Sequence, residues 1–167
     1  MSVDFYDIDA LLTDEERLVR DSVRAFVNER LMPIISAHYE AGTFPTELIP
    51  EFGALGVLGA NLKGYDCAGM GEVAYGLVMQ ELERCDSGIR SFVSVQGALV
   101  MYPLYAFGSD EQKETWLPRL ARGEAVGCFG LTEPDFGSNP SGMITRAERT
   151  DRGFVLNGTK RWITNGN

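Results

Sequence analysis

The sequence predicts an α+β protein: an N-terminal all-α helical bundle followed by the beginning of an antiparallel β-barrel-like domain. Three observations carry this. From Thr13 to Gly123 apolar residues recur at helical spacing, whereas after residue 124 the period shortens to two. The pair Asn157-Gly158 then falls between two short β-type runs, where it signals a tight hairpin. The expected division is a helical domain over residues 1–123 and the start of a middle β-domain over 124–167.

The helices follow in order. Thr13 and Glu16 have the capping-box form, in which each residue's side chain satisfies the other's backbone N–H. Leu18, Val19, Val23, Phe26, Val27 and Leu31 continue from it as an amphipathic stripe until Pro33. Pro45 opens a shorter segment carrying Leu48, Ile49, Phe52 and Leu55, and "KGYDCAGMGE" after it has the composition of a loop. Val73, Leu77, Val78, Leu82 and Cys85 mark a third helix, ending around residues 86–88. Residues 90–108 are apolar nearly all round, which predicts a helix buried at the centre of a bundle. Ser109 and Gln112 repeat the capping box, Trp116, Leu117 and Leu120 supply an apolar stripe, and Gly123 is placed for a C-cap.

Beyond residue 124, "AVGCFGL", "MITRAERT", "GFVLNG" and "TKRWIT" are short, rich in β-branched and aromatic residues, and separated by turn chemistry. Three or four strands make an unfinished sheet, since small sheets need further strands or a covering layer. The chain is therefore expected to be the N-terminal portion of a larger protein.

Composition argues against several classes, though a local basic patch stays open. The 167 residues carry a formal charge of −9, against the basic face that nucleic acid or an anionic membrane surface demands. No apolar run is long enough to span a bilayer, and the acidic start "MSVDFYDID" does not resemble a signal peptide. Cys67, Cys85 and Cys128 are scattered, and a single His makes a zinc site improbable, so no metal is expected and a reducing, cytoplasmic compartment is.

The chemistry concentrates at the helix-to-β junction. "CFGLTEPDFGSN", residues 128–139, runs as a strand into a polar turn, and "NGTKRWITN" follows. Together these motifs resemble the acyl-CoA dehydrogenase family of flavoproteins, whose middle β-domain carries an aromatic-x-aliphatic-Thr-Glu-Pro strand-loop and a later Trp-Ile-Thr strand. "AYGLVMQELERCDSGIRSFVSVQ" and "LVMYPLYAFGSDEQKETWLPRLARGE" look like its N-terminal helical domain. Within the family, "GYDCAG", "ELERCDSGIRS" and "GCFGLTEP" resemble the glutaryl-CoA dehydrogenases.

The resemblance implies FAD as cofactor, with Phe129, Leu131, Thr132, Gly137, Ser138, Trp162, Ile163 and Thr164 around it. It also implies an acyl-CoA substrate contacted by Glu83, Arg90, Ser91 and Ser138. These residue types suit the chemistry. A flavin needs an apolar wall with a few fixed donors, and an arginine takes a carboxylate through two parallel hydrogen bonds. The implied reaction is α,β-dehydrogenation, with decarboxylation of a glutaryl chain to crotonyl-CoA. Its base is expected in a C-terminal helical domain beyond Asn167, so no glutamate here is assigned to it, and the 167 residues alone are expected to be inactive. The resemblance further implies an electron-transfer flavoprotein as acceptor, a homotetramer, and lysine or tryptophan breakdown as context. Asn139, Asp135, Phe136 and Ile89 depart from the pattern, leaving open a dehydrogenase or oxidase for another short acyl chain. A non-catalytic helical binding module is the alternative from a different class.

Overall fold

The computed structural model describes residues 5–166. After a short 3-10 turn at Ile8–Leu11, helix α1 (Asp14–Phe26) starts at the expected capping box, with both reciprocal bonds present, at 2.7 and 3.2 Å. It continues through a π turn, Val27–Leu31, which keeps Val27 and Leu31 on the buried face below Val23. Helix α2 (Ile35–Ala41) has no counterpart among the sequence expectations. None of its residues is buried, so it carries no stripe that periodicity could detect. Helix α3 (Ile49–Ala54) follows Pro45 as expected and delivers Phe52 to the centre of the core.

Helix α4 (Glu72–Cys85) packs along α1, and α5 (Ser87–Ser94) turns back from it. Val23, Phe52, Val78, Leu82, Ile89 and Phe92 close the main core between them. Glu81 is fully buried at the α1–α4 contact. Burial raises its pKa, but Arg24, bonded at 2.7 and 3.1 Å, and Arg84, at 3.0 Å, more than offset this and hold the carboxyl below its ordinary value.

The apolar run over residues 90–108 is not one buried helix. It divides into α5, a π segment at Val95–Met101 and α6 (Tyr102–Phe107). Ile89, Phe92, Val93, Gln96 and Met101 are buried, while Leu99, Tyr102 and Phe107 are exposed. The rest of the helical body covers only one side of the run. Helix α7 (Asp110–Ala121) begins at the second capping box and ends at Gly123, whose φ of 71° closes the last turn. Its Leu117 and Leu120 are buried, whereas Trp116 stays half exposed.

"KGYDCAGMGE", read as loop, contains a minimal hairpin: β1 (Lys63–Gly64) pairs antiparallel with β2 (Cys67–Ala68). Tyr65 and Asp66 both adopt positive φ, as a two-residue hairpin turn requires, yet neither is the Asn or Gly that would announce it.

The β region differs most from expectation. Strand β3 (Arg146–Thr150) pairs antiparallel with β4 (Gly153–Asn157), with Glu148 opposite Val155. The hairpin turns at Asp151-Arg152, where the Arg152 amide donates to the Thr150 hydroxyl at 3.3 Å. Asn157-Gly158 instead ends β4, and Gly158 passes directly against Thr145, where a Cβ would have no room. Residues 125–131 and 159–164, patterned as strands, join no ladder in the described residues. Side-chain bonds, together with the Arg161 amide bonded to the Thr132 carbonyl, hold their backbone, and among the described residues no barrel closes, as a β-domain only begun here implies.

Candidate functional site

The turn after Thr132 is built around one buried carboxylate. Glu133 and Phe136 exchange backbone hydrogen bonds at 3.1 and 3.2 Å, so Pro134 and Asp135 occupy the corners of a tight turn. The Glu133 side chain points inward and is only 1% exposed. It accepts from the Ile144 amide at 2.8 Å, the Thr145 amide at 3.0 Å and the Lys160 ammonium at 2.9 Å. The Thr145 hydroxyl lies beside it and, with these donors, holds the Glu133 carboxyl well down, at about 2. That hydroxyl is buried and meets no partner in hydrogen-bond geometry, so the directional bonds are those of the two amides and the ammonium.

The charged form of Glu133 is favoured by the fold, so its contribution is complete above the ordinary carboxylate pKa and is lost as pH falls from there through about 2. The Ile144 and Thr145 amide resonances should titrate together with a midpoint near 2, and Glu133→Gln should remove that transition. A common midpoint in the ordinary carboxylate range would show that the carboxyl is not held.

The same contacts join the two sequence motifs. Lys160 Nζ also donates to the Leu131 carbonyl at 3.0 Å, and the Arg161 amide donates to the Thr132 carbonyl at 2.8 Å. Trp162 follows with a φ of 54°, which non-glycine residues seldom adopt, and Arg161 lies over its indole at 4.2 Å.

A second tie fastens both motifs to the helices. The π segment carries Gln96 inward, where its amide nitrogen donates to Leu120 O at 3.1 Å and Ala125 O at 2.9 Å. Its oxygen accepts from the Gly127 amide at 2.9 Å, and Asn165 donates back to Gly127 O at 3.3 Å. Gly127 must lack a Cβ because Val100 of the π segment lies against it.

These ties leave a cleft of about 190 Å³ lined by Val95, Leu99, Phe129, Leu131, Thr132, Trp162, Ile163 and Thr164. Six of the eight sequence-expected cofactor residues therefore converge from two segments about 30 residues apart. Phe129, Leu131 and Trp162 are exposed on its rim, and the Thr132 and Thr164 hydroxyls make no hydrogen bond among the described residues. An apolar wall with two available hydroxyls is the donor set that the edge of a planar heteroaromatic ring can use. The volume is below the roughly 300 Å³ at which whole-ligand pockets begin, so it takes an edge rather than a dinucleotide. Gly137 and Ser138 are not brought to this cleft; they are exposed in the loop before the Pro140–Gly142 turn.

A larger cavity, about 350 Å³, lies on the other side of Thr164 and is lined by Phe44, Thr46, Ile49, Gly88, Phe92, Val126, Thr164 and Asn165. Gly88 lies two residues before Arg90 on α5. Arg90 and Glu83 do come together, although they lie on different helices, through an Nε–Oε2 bond of 2.5 Å. That bond, with the Ser87 hydroxyl at 2.8 Å, lowers the Glu83 pKa. Arg90's terminal amino groups and the half-buried Ser91 hydroxyl have no hydrogen-bond partner among the described residues.

Sequence reasoning singled out neither Gln96 nor Lys160 as a site residue. A glutamine inside an apolar run is the signal for the first. A lysine has too many surface uses for its spacing to reveal the second.

Comparison with known proteins bears on the family and the fold. Residues 13–124 match the model of the acyl-CoA dehydrogenase N-terminal domain, and residues 128–167 match that of the middle domain. The short-chain specific acyl-CoA dehydrogenase of Rattus norvegicus mitochondria is 33% identical over 92% of the chain and 38% of its own length. A crystal structure of a glutaryl-CoA dehydrogenase from Mycobacterium smegmatis in complex with FADH2 superimposes with a TM-score of 0.94. It is 60% identical, over 96% of this chain and 42% of that one. A structure described as the electron transferring flavoprotein of Acidaminococcus fermentans superimposes with a TM-score of 0.88 at 33% identity, over 93% of this chain and 41% of that one. The chain thus spans about two-fifths of the length of these relatives. By the two domain models and the shared fold, it belongs to the acyl-CoA dehydrogenase family.

Proposed function

We propose that the full-length protein is an FAD-dependent acyl-CoA dehydrogenase acting on glutaryl-CoA, with decarboxylation to crotonyl-CoA. The observation that carries this is the convergence of Phe129, Leu131, Thr132, Trp162, Ile163 and Thr164 on one cleft with two available hydroxyls. Those residues fit the edge of a flavin ring. Bound there, FAD would supply the acceptor for the β-hydrogen of the acyl chain. Leu131 and Ile163 would exclude water from one side, while Thr132 and Thr164 would fix the ring's polar edge. Among the described residues no carboxylate lines the cleft or its neighbour, and the base that takes the α-proton is assigned to the C-terminal part of the full-length protein on the family resemblance alone.

The neighbouring cavity shares Thr164 with the cleft and is apolar, as a short acyl chain requires. Arg90 and Ser91 are the donors assigned to the distal carboxylate, with Glu83 orienting the guanidinium through Nε and leaving its terminal amino groups for the substrate. Ser138 and Gly137 are assigned to the cofactor or CoA phosphates on the strength of the motif alone. A dehydrogenase for an uncharged short chain is the second reading, favoured by the short-chain relative. An electron-transfer flavoprotein as acceptor, a homotetramer, a cytoplasmic location and a place in lysine or tryptophan breakdown complete the proposal.

The test is direct. The full-length gene product should purify with a visible flavin band, and anaerobic glutaryl-CoA should bleach it with release of carbon dioxide. A colourless preparation that FAD cannot reconstitute would sink the proposal. Bleaching by butyryl-CoA and not by glutaryl-CoA would favour the second reading.

A further inference from the structure

We propose that Lys160 is a positioning residue: its ammonium cross-links the two cleft-facing segments and sets where Leu131 and Thr132 stand relative to Trp162. The proposal rests on the functional reading above. Three contacts carry it. Lys160 Nζ bonds the Leu131 carbonyl at 3.0 Å, and it bonds Glu133 Oε1 at 2.9 Å. The next residue's amide, that of Arg161, bonds the Thr132 carbonyl at 2.8 Å. Both carbonyls of the Leu131-Thr132 pair are therefore held by consecutive residues of the other motif.

This arrangement replaces what a β-ladder would do. Neither segment belongs to a strand, so ordinary sheet pairing does not fix their spacing. One charged donor, three-quarters buried, stands on a carboxylate that is itself buried and anchored to the Ile144 and Thr145 amides. A charge-assisted bond in such surroundings is stronger and more directional than a neutral one. Lys160 lines neither cavity, so it acts on a bound ring only through the residues that do.

The experiment compares Lys160→Met with the unaltered full-length protein. Methionine keeps an unbranched apolar stem, one atom shorter, and removes all three donors. Two quantities are read: hydrogen exchange of the Arg161 amide, without cofactor, and affinity and visible absorption of bound FAD. The expected result is roughly ten-fold or greater loss of Arg161 protection, with the core amides of α4 unchanged. FAD affinity should fall by roughly ten-fold to a hundred-fold, and the band of the saturated protein should shift. A purely structural lysine would lower occupancy without moving the band at saturation. Unchanged Arg161 exchange, or a weakened but spectrally identical flavin, would overturn the proposal. If the unaltered protein binds no FAD, the functional reading fails instead, and the exchange measurement still decides whether Lys160 joins the two segments.

Discussion

In the full-length protein, if it acts as proposed, replacing Arg90 with Gln should lower kcat/KM for glutaryl-CoA by roughly a hundred-fold and leave butyryl-CoA within a factor of about three. A glutaryl chain brings a second charge to the site. A carboxylate brought into a partly dry cavity loses hydration, and only a fixed opposite charge with matching donors returns it. Arg90 is bonded by Glu83 through Nε at 2.5 Å, and its side chain is 36% exposed, so it is oriented but not enclosed. Gln offers an amide donor only as far out as the arginine Nε, short of the terminal amino groups, and it carries no charge and no fork. An uncharged butyryl chain never uses either, so its rate separates loss of the charge partner from general damage. Glu83 is half exposed and stays solvated when its partner is removed, which keeps the folding cost small. Steady-state kinetics with the two thioesters checks the prediction. Equal losses on both would remove Arg90 from the substrate site.

Phe52→Ala should destabilise the protein by about 3–5 kcal/mol and lower its thermal midpoint by about 10 °C or more. Phe52 is fully buried, with its ring 5.6 Å from that of Phe26 and 6.0 Å from that of Phe92. It is the point where α1, α3 and α5 meet. Deleting it removes the transfer free energy of an aromatic side chain and leaves a cavity that helices on three sides cannot close together. The measurement is a thermal melt followed by far-ultraviolet circular dichroism. A shift below about 3 °C would mean that the core had collapsed into the space.

The helical part was legible because its signals are local. A capping box needs four residues, and an apolar stripe needs two turns; both occur at Thr13 and Ser109 and are formed as read. Helix α2 escaped because it buries no residue fully and sends only Ile35 toward the core, and the Tyr65-Asp66 turn because its positive φ values fall on residues that do not advertise them. The β region was legible in composition and illegible in pairing. Asn157-Gly158 is a good turn dipeptide, but a strand's partner is decided by what else is available, and β4 found its partner through Asp151-Arg152. At the cleft, the Thr132 and Trp162 motifs could be read, whereas Gln96 and Lys160 could not. Their roles depend on carbonyls tens of residues away, which no periodicity encodes.

The ties at Gln96, Asn165 and Lys160 also decide how the molecule answers to mechanical load. A sheet ladder shares tension among many parallel bonds, but Gly127 is held by one side-chain bond at its nitrogen and one at its oxygen. Pulled between residues 5 and 166, the described part should first give way there, freeing residues 125–166 from the helices while the β3–β4 ladder within them stays paired. The packed helices around Phe52 would bear the load only afterwards. The stretch that faces the cleft is thus also the chain's mechanical fuse.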